Sequence, residues 1–189
     1  DSLHAMRLYT HPEEIAGMRE AADIACAAHR EAARRWRAGN TEYEIEATLE
    51  WVFRKRGGSG ASYPSIVGSG DNATILHYTE NSDVLRSQEL VLIDAGCEYQ
   101  AYASDVTRTY PVDGRFDGVA REVYQVVLGA QADAIAATRP GGTLPEIHNV
   151  ATRSLVQGLI ELDVLRGDPD DLVDQEAHLP FYMHQTSHW

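Results

Sequence analysis

The sequence predicts an α+β fold, and three observations point there. Two helical stretches open the chain, short apolar runs separated by glycine and polar turns follow, and two more helical stretches close it. The order is ααβββ(β)αα, with helices and strands grouped along the chain rather than alternating. A pair of aspartates, Asp94 and Asp105, stands in strand-like sequence in the middle. The turn joining the first helix pair recurs in the second.

Thr10-His11-Pro12-Glu13-Glu14 reads as a helix start, with Thr10 the candidate cap, proline in the first turn and acids near the positive end of the dipole. The alanine-rich, amphipathic stretch from Ile15 to Arg37 follows and stops at Gly39. Thr41-Glu42-Tyr43-Glu44 has capping-box form and opens a helix to about Arg56. Gly57-Gly58-Ser59-Gly60 breaks it. Strand-like pieces are predicted at Ser65–Gly68 and Thr74–Tyr78, then Leu90–Ile93 running into Asp94, a polar bend at Cys97–Gln100, and a second strand over Ala101–Tyr110. Helices near Asp117–Thr138 and Thr143–Leu165 complete the order. Residues 37–45 and 139–147 share the form R-x-G-x-T-x-x-E-I. That match is what a duplicated helix pair would leave, and also what shared turn and cap chemistry would leave.

A carboxylate inside a packed sheet costs roughly several kcal/mol unless a cation or hydrogen bonds compensate it. If the two aspartate strands pair as a hairpin, residues nearly equidistant from the bend face each other, and one divalent ion, or two sharing a carboxylate, fits between them. Near the end, His178, His184 and His188 crowd AHLPFYMHQTSHW, where Pro180 and the Phe-Tyr-Met run favour an extended segment. Imidazole is a common metal ligand and an effective acid or base near neutrality. His77, in Leu76-His77-Tyr78-Thr79-Glu80-Asn81, closes the strand-like piece before the hairpin and is a fourth candidate for the same cavity.

Composition narrows the function classes. A net charge of −13 disfavours binding to a phosphate backbone, so nucleic acid is not an expected partner. The longest apolar runs are far short of a membrane span, no basic-then-apolar leader opens the chain, and a cytoplasmic location without membrane association is expected. Two cysteines, Cys26 and Cys97, without a pairing framework or zinc-finger spacing, are expected as free thiols.

Met6–Ala25, IVGSG at Ile66–Gly70, ILHYTEN at Ile75–Asn81, LVLIDAGCEY at Leu90–Tyr99, SDVTRTYPVDGRF at Ser104–Phe116 and the closing HQTSHW together resemble the pita-bread metallopeptidases. Within that family they are most similar to the catalytic domain of the bacterial aminopeptidase P branch, the Xaa-Pro aminopeptidases. The resemblance covers nearly the whole chain. It implies a pita-bread fold, two related ααβ halves around a metal site, and two divalent ions, usually manganese. It also implies hydrolysis of the bond between an N-terminal residue and a following proline, by a water or hydroxide shared between the ions. Carried over by motif, Asp94 binds one ion, Asp105 bridges both and His188 binds the other. His77 and His184 match histidines beside the substrate, and Tyr63 matches a substrate-pocket tyrosine.

Departures from the family pattern set further expectations. The family continues past the position of Trp189 with a strand bearing another histidine and two strands that supply metal-binding glutamates. It also carries a separate N-terminal domain ahead of the position of Asp1. Gln185 stands where many relatives have glycine. The expectation is an incomplete catalytic domain over residues 1–189, lacking the second half of the sheet, with weak or absent metal occupancy and no detectable turnover by itself. Exposed strand edges and apolar faces lead us to expect a homo-oligomer. The alternatives are an inactive pita-bread binding module and a prolidase acting on Xaa-Pro dipeptides.

Overall fold

The computed structural model describes residues 6–188. Trp189, which closes the HQTSHW motif, and the first five residues, on which the expectation about a leader falls, lie outside them. The chain divides into two compact units, Asp1–Arg115 and Phe116–Trp189.

In the first unit, helix α1 spans Pro12–Arg35 and helix α2 spans Glu42–Lys55. The cap of α1 is His11 rather than Thr10, because the reciprocal partner three residues into the helix is Glu14, whose carboxylate accepts from the His11 backbone N–H at 2.8 Å. Thr41 caps α2 as expected, its N–H donating to Glu44 Oε2 at 2.7 Å. Six short strands follow: β1 Gly60–Ala61, β2 Ile66–Ser69, β3 Leu90–Asp94, β4 Cys97–Tyr99, β5 Tyr102–Ala103 and β6 Thr107–Pro111. They form two antiparallel sheets, in the orders β2-β3-β6 and β1-β4-β5. The pleat turns Val91 and Ile93 of β3 into a core shared with Ile24, Ala28, Leu49, Phe53 and Val67, all at most 1% exposed, while Leu90, Leu92 and Asp94 face the other way.

Two expected strands are corrected. Residues Thr74–Tyr78 form no strand. A 3-10 turn over Gly70–Thr74 leads into turns, Ile75 and Leu76 are more than half exposed, and Asn72 and Tyr78 bond Glu42 instead of a neighbouring strand. The expected strand over Ala101–Tyr110 is broken into β5 and β6 by an irregular link, Ser104–Val106, and the expected bend at Cys97–Gln100 is in part strand β4.

The second unit holds α3 Gly118–Ala137, α4 Leu144–Glu161 and a short α5 Pro169–Asp174. Thr143 caps α4 through the same reciprocal box as Thr41, its N–H donating to Glu146 Oε2 at 2.8 Å. Gly39 and Gly141, at matching places before the two caps, both have left-handed backbone, φ +96° and +88°, which explains a glycine at each. Ile45 and Ile147, the last residues of the shared motif, are both buried. Helix α5 was not foreseen, although Asp168 ahead of Pro169 is an ordinary cap signal and accepts from the N–H groups of Asp170 and Asp171. The segment from Gln175 to His188 runs through turns and irregular backbone, with no strand where an extended piece was expected. Both cysteines are free. No helix among the described residues is long and apolar enough to cross a membrane.

Candidate metal centre

Asp94 ends β3, paired with Ile66 on one side and Thr107 on the other. Asp105 sits in the irregular link that re-enters the sheet as β6. That link is shaped by Gly96. A Cβ there would stand 1.7 Å from the Ser104 carbonyl oxygen, so only glycine lets the two backbones come this close. Ala95 N–H donates to Val106 O at 3.1 Å, Ser62 N–H to Gly96 O at 3.0 Å, and Ser62 Oγ to Ser104 O at 2.8 Å. The buried Ser104 Oγ accepts from Cys97 N at 2.9 Å and donates to Ala21 O at 3.0 Å, tying the link to α1. The backbone on both sides of Asp105 is thereby held.

Both carboxylates turn toward one atom. Tyr63 Oη donates to Asp94 Oδ1 at 2.5 Å and lies 3.0 Å from Asp105 Oδ1, so a single hydroxyl hydrogen serves two acceptors. Burial, the hydrogen bond to Asp94 and the charge of both aspartates push the Tyr63 hydroxyl well above the ordinary tyrosine range, and it stays protonated. The expectation that both carboxylates are buried in the sheet is corrected: Asp94 is half-buried and Asp105 exposed. The pleat directs Asp94 away from the core, and the Gly96 contact carries Asp105 out of the strand. Desolvation therefore does not by itself demand a cation. Convergence does favour one, since two like charges sharing one proton attract positive charge and present the hard oxygen donors that divalent ions take.

Directly behind Asp94, His29 is 2% exposed, its Nε2 lying 3.2 Å from Ala95 O and its Nδ1 3.4 Å from Tyr110 Oη. With Nε2–H donating to the carbonyl, Nδ1 accepts from the phenol and the ring is neutral. Burial pushes its pKa down.

His77 is in the same unit, in an exposed turn with left-handed backbone, φ +56°, rather than at a strand end. His184 and His188 belong to the second unit and are exposed. Their segment is pinned to α4 at Thr186, whose N–H and Oγ1 lie 3.2 and 3.1 Å from His148 Nδ1, and His184 meets the Tyr182 ring edge-on. His178 is buried. Among the described residues no group of three or more His, Cys, Asp or Glu side chains gathers as a metal site. The structure thus brings together Asp94, Asp105 and Tyr63. Gly96, Ser104, His29 and the buried polar residues Glu42 and Asn81 were given no positioning role from the sequence, although Gly96 stands inside LVLIDAGCEY, Ser104 opens SDVTRTYPVDGRF, Asn81 closes ILHYTEN and Glu42 lies in the capping box of α2.

The sequence matches metallopeptidase family M24 over residues 16–189, and the chain belongs to that family. Divalent metal ions are therefore part of its family chemistry. It is 46% identical to the Xaa-Pro aminopeptidase of Escherichia coli K12 over 187 residues, 99% of this chain and 42% of that protein. It is 44% identical to the Haemophilus influenzae Xaa-Pro aminopeptidase over 99% of this chain and 44% of that one. Its fold matches an alanine variant of E. coli aminopeptidase P in complex with substrate at TM-score 0.94 and 47% identity, over 97% of this chain and 42% of the other. It matches the Pseudomonas aeruginosa aminopeptidase PepP at TM-score 0.95 and 44% identity, with the same two coverages. The mixed helix-and-sheet architecture is that of the pita-bread enzymes in part, and the chain spans less than half the length of these relatives.

Proposed function

We propose that this chain is part of a metal-dependent Xaa-Pro aminopeptidase, with Asp94, Asp105 and His188 as three ligands of a two-ion centre. The observation that supports it most is the convergence of Asp94 and Asp105 on one point in a chain of family M24. A ligand set of carboxylates with one imidazole suits manganese on softness grounds, and zinc, cobalt or iron could occupy it. A relative described as Zn-substituted E. coli aminopeptidase P in complex with product accepts zinc. When bound, such ions lower the pKa of a shared water and stabilise developing negative charge on a peptide carbonyl.

The chain's own residues have separable tasks in this reading. Asp94 and Asp105 hold positive charge at the end of β3. Tyr63, kept protonated, orients both carboxylates and lines the substrate side. His77 and His184 donate hydrogen bonds to the substrate amide or to charge developing on it. Three of the family's five protein ligands do not make a full centre, so the 189-residue chain alone is expected to bind manganese weakly and to show no turnover.

The test compares this chain with one extended to the length of its relatives, assaying hydrolysis of Xaa-Pro-Xaa peptides and Xaa-Pro dipeptides alongside metal content. Activity is expected only in the extended chain and on the longer peptides. D94A or D105A should abolish both metal and turnover, and H77A should lower kcat/KM by about 10²–10³. An extended chain that loads metal but cleaves no proline peptide points to a binding module, dipeptide preference points to a prolidase, and turnover by the 189-residue chain refutes the partial-site reading.

A further inference from the structure

Glu42 is a carboxylate with 0% exposure in the first turn of α2. Its two oxygens accept five hydrogen bonds. Oε1 takes Ser69 N–H at 2.7 Å, Ser69 Oγ at 2.8 Å and Asn72 Nδ2 at 3.2 Å; Oε2 takes Tyr78 Oη at 2.8 Å and Asp83 N–H at 3.0 Å. These donors come from the end of β2, the 3-10 turn and both sides of the loop that returns to α2. Burial opposes the charge on Glu42, but backbone N–H groups of Asp83 and Ser69 and the hydroxyls of Ser69 and Tyr78 outweigh it and hold its pKa below the usual carboxylate range. Nothing in the metal centre uses this group.

What Glu42 encloses is the loop that presents His77. Tyr78, the next residue, is buried, and its hydroxyl also accepts from Asn72 Nδ2 at 3.0 Å and Ser82 N–H at 3.3 Å. Asn81 closes the other side, accepting from Val67 N–H and donating to Ser65 O, both at 2.9 Å. His77 itself stands outside this network, exposed and in left-handed backbone, between the exposed Leu76 and the anchored Tyr78. A turn of that kind has little apolar burial of its own, so its position is set by what its flanks are fastened to.

We propose that Glu42 is a positioning residue which, through Tyr78 Oη and the amides of Ser69 and Asp83, fixes where the His77 imidazole is presented. This rests on the reading of His77 as a group beside the peptide substrate. In Glu42→Gln an amide N–H₂ would face either Ser69 N–H or Asp83 N–H, so one donor meets another and the loop loses its charged acceptor.

The test follows the imidazole signals of the isotopically labelled 189-residue chain by NMR, with amide hydrogen exchange read over residues 69–83. In E42Q the Ser69 and Asp83 amides should exchange at least about tenfold faster and the His77 signal should shift or broaden, while that of His29, buried in the same unit, stays in place. Tyr78→Phe removes one spoke of the network and should displace the His77 signal in the same direction by less. A folded E42Q chain with wild-type His77 behaviour overturns the proposal, as does equal movement of His77 and His29. If E42Q does not fold, Y78F decides on the same two signals. Neither readout involves metal or peptide, so failure of the peptidase reading leaves this result standing. Conversely, an extended chain active both as wild type and as E42Q, with His77 unmoved, overturns the positioning role alone.

Discussion

At Gly96 a single hydrogen in place of a methyl group decides the site. Gly96→Ala would drive a Cβ to within 1.7 Å of Ser104 O, a backbone atom that cannot swing aside. The Ser104–Val106 link would have to leave the sheet, carrying Asp105 with it. We expect a loss of about 3–5 kcal/mol in urea unfolding, at the upper end for single substitutions. His29 acts by a different route. Burial lowers its folded-state pKa, so the stability it contributes is complete above the unfolded value near 6.5 and is lost as pH falls toward its folded value. Denaturation midpoints should drop as pH falls below the unfolded value, and His29→Gln should flatten that limb. Tyr63 has the opposite sign. Its raised pKa keeps the phenol neutral in the fold, so its contribution is intact below about pH 10 and is lost at higher pH. In an ultraviolet titration its tyrosinate signal should stay absent while the chain is folded and appear only with alkaline unfolding, and Tyr63→Phe should remove that component.

At the level of elements, α2 and α4 start by the same device. Thr41 with Glu44 and Thr143 with Glu146 each satisfy two end N–H groups reciprocally, after a glycine in left-handed backbone. Thr143→Ala should cost about 1 kcal/mol, read in thermal unfolding of the second unit. The crossing of α3 and α4 is tighter than either helix reveals alone. A Cβ on Gly158 would meet Val126 Cγ1 at 2.3 Å, and a β-branched side chain in a helix has little freedom to turn away. Gly158→Ala should destabilise by about 1–3 kcal/mol through overpacking, and pairing it with Val126→Ala should recover most of the loss.

Over the whole molecule, α3 leaves Val119, Val127, Leu128 and Ile135 exposed at 44–72%, and β2 and β6 are edges of their sheet. Apolar helix faces and open strand edges promote association. The 189-residue chain should therefore sediment as dimers or larger species at micromolar concentration, and Val127→Lys with Ile135→Lys should shift it toward monomer. A sharp monomer boundary for the unmodified chain would contradict this. The charge of −13 acts the other way at long range, so association should strengthen with added salt.

Capping boxes, helix periods and the apolar run ending in Asp94 were legible in the sequence because each depends on neighbours only a few positions away. The motifs around Asp94, Asp105 and His77 were specific enough to mark the metallopeptidase family for the same reason: the residues that bear its chemistry stand in short conspicuous strings. The misread pieces depend on distant partners. Thr74–Tyr78 has strand-like composition, but its Tyr78 hydroxyl bonds a carboxylate on α2 and its Thr74 hydroxyl turns back to Asp71 O. Ala101–Tyr110 reads as one strand, but the approach of Ser104 to Gly96 breaks it. The burial assigned to Asp94 and Asp105 followed from their apolar neighbours, whereas the pleat of β3 and the broken link turn both carboxylates outward to Tyr63, 31 and 42 residues away. Local sequence determined which groups this protein has for its chemistry; only tertiary structure decided which way they face, because that is settled by hydrogen bonds and close approaches between segments far apart in the chain.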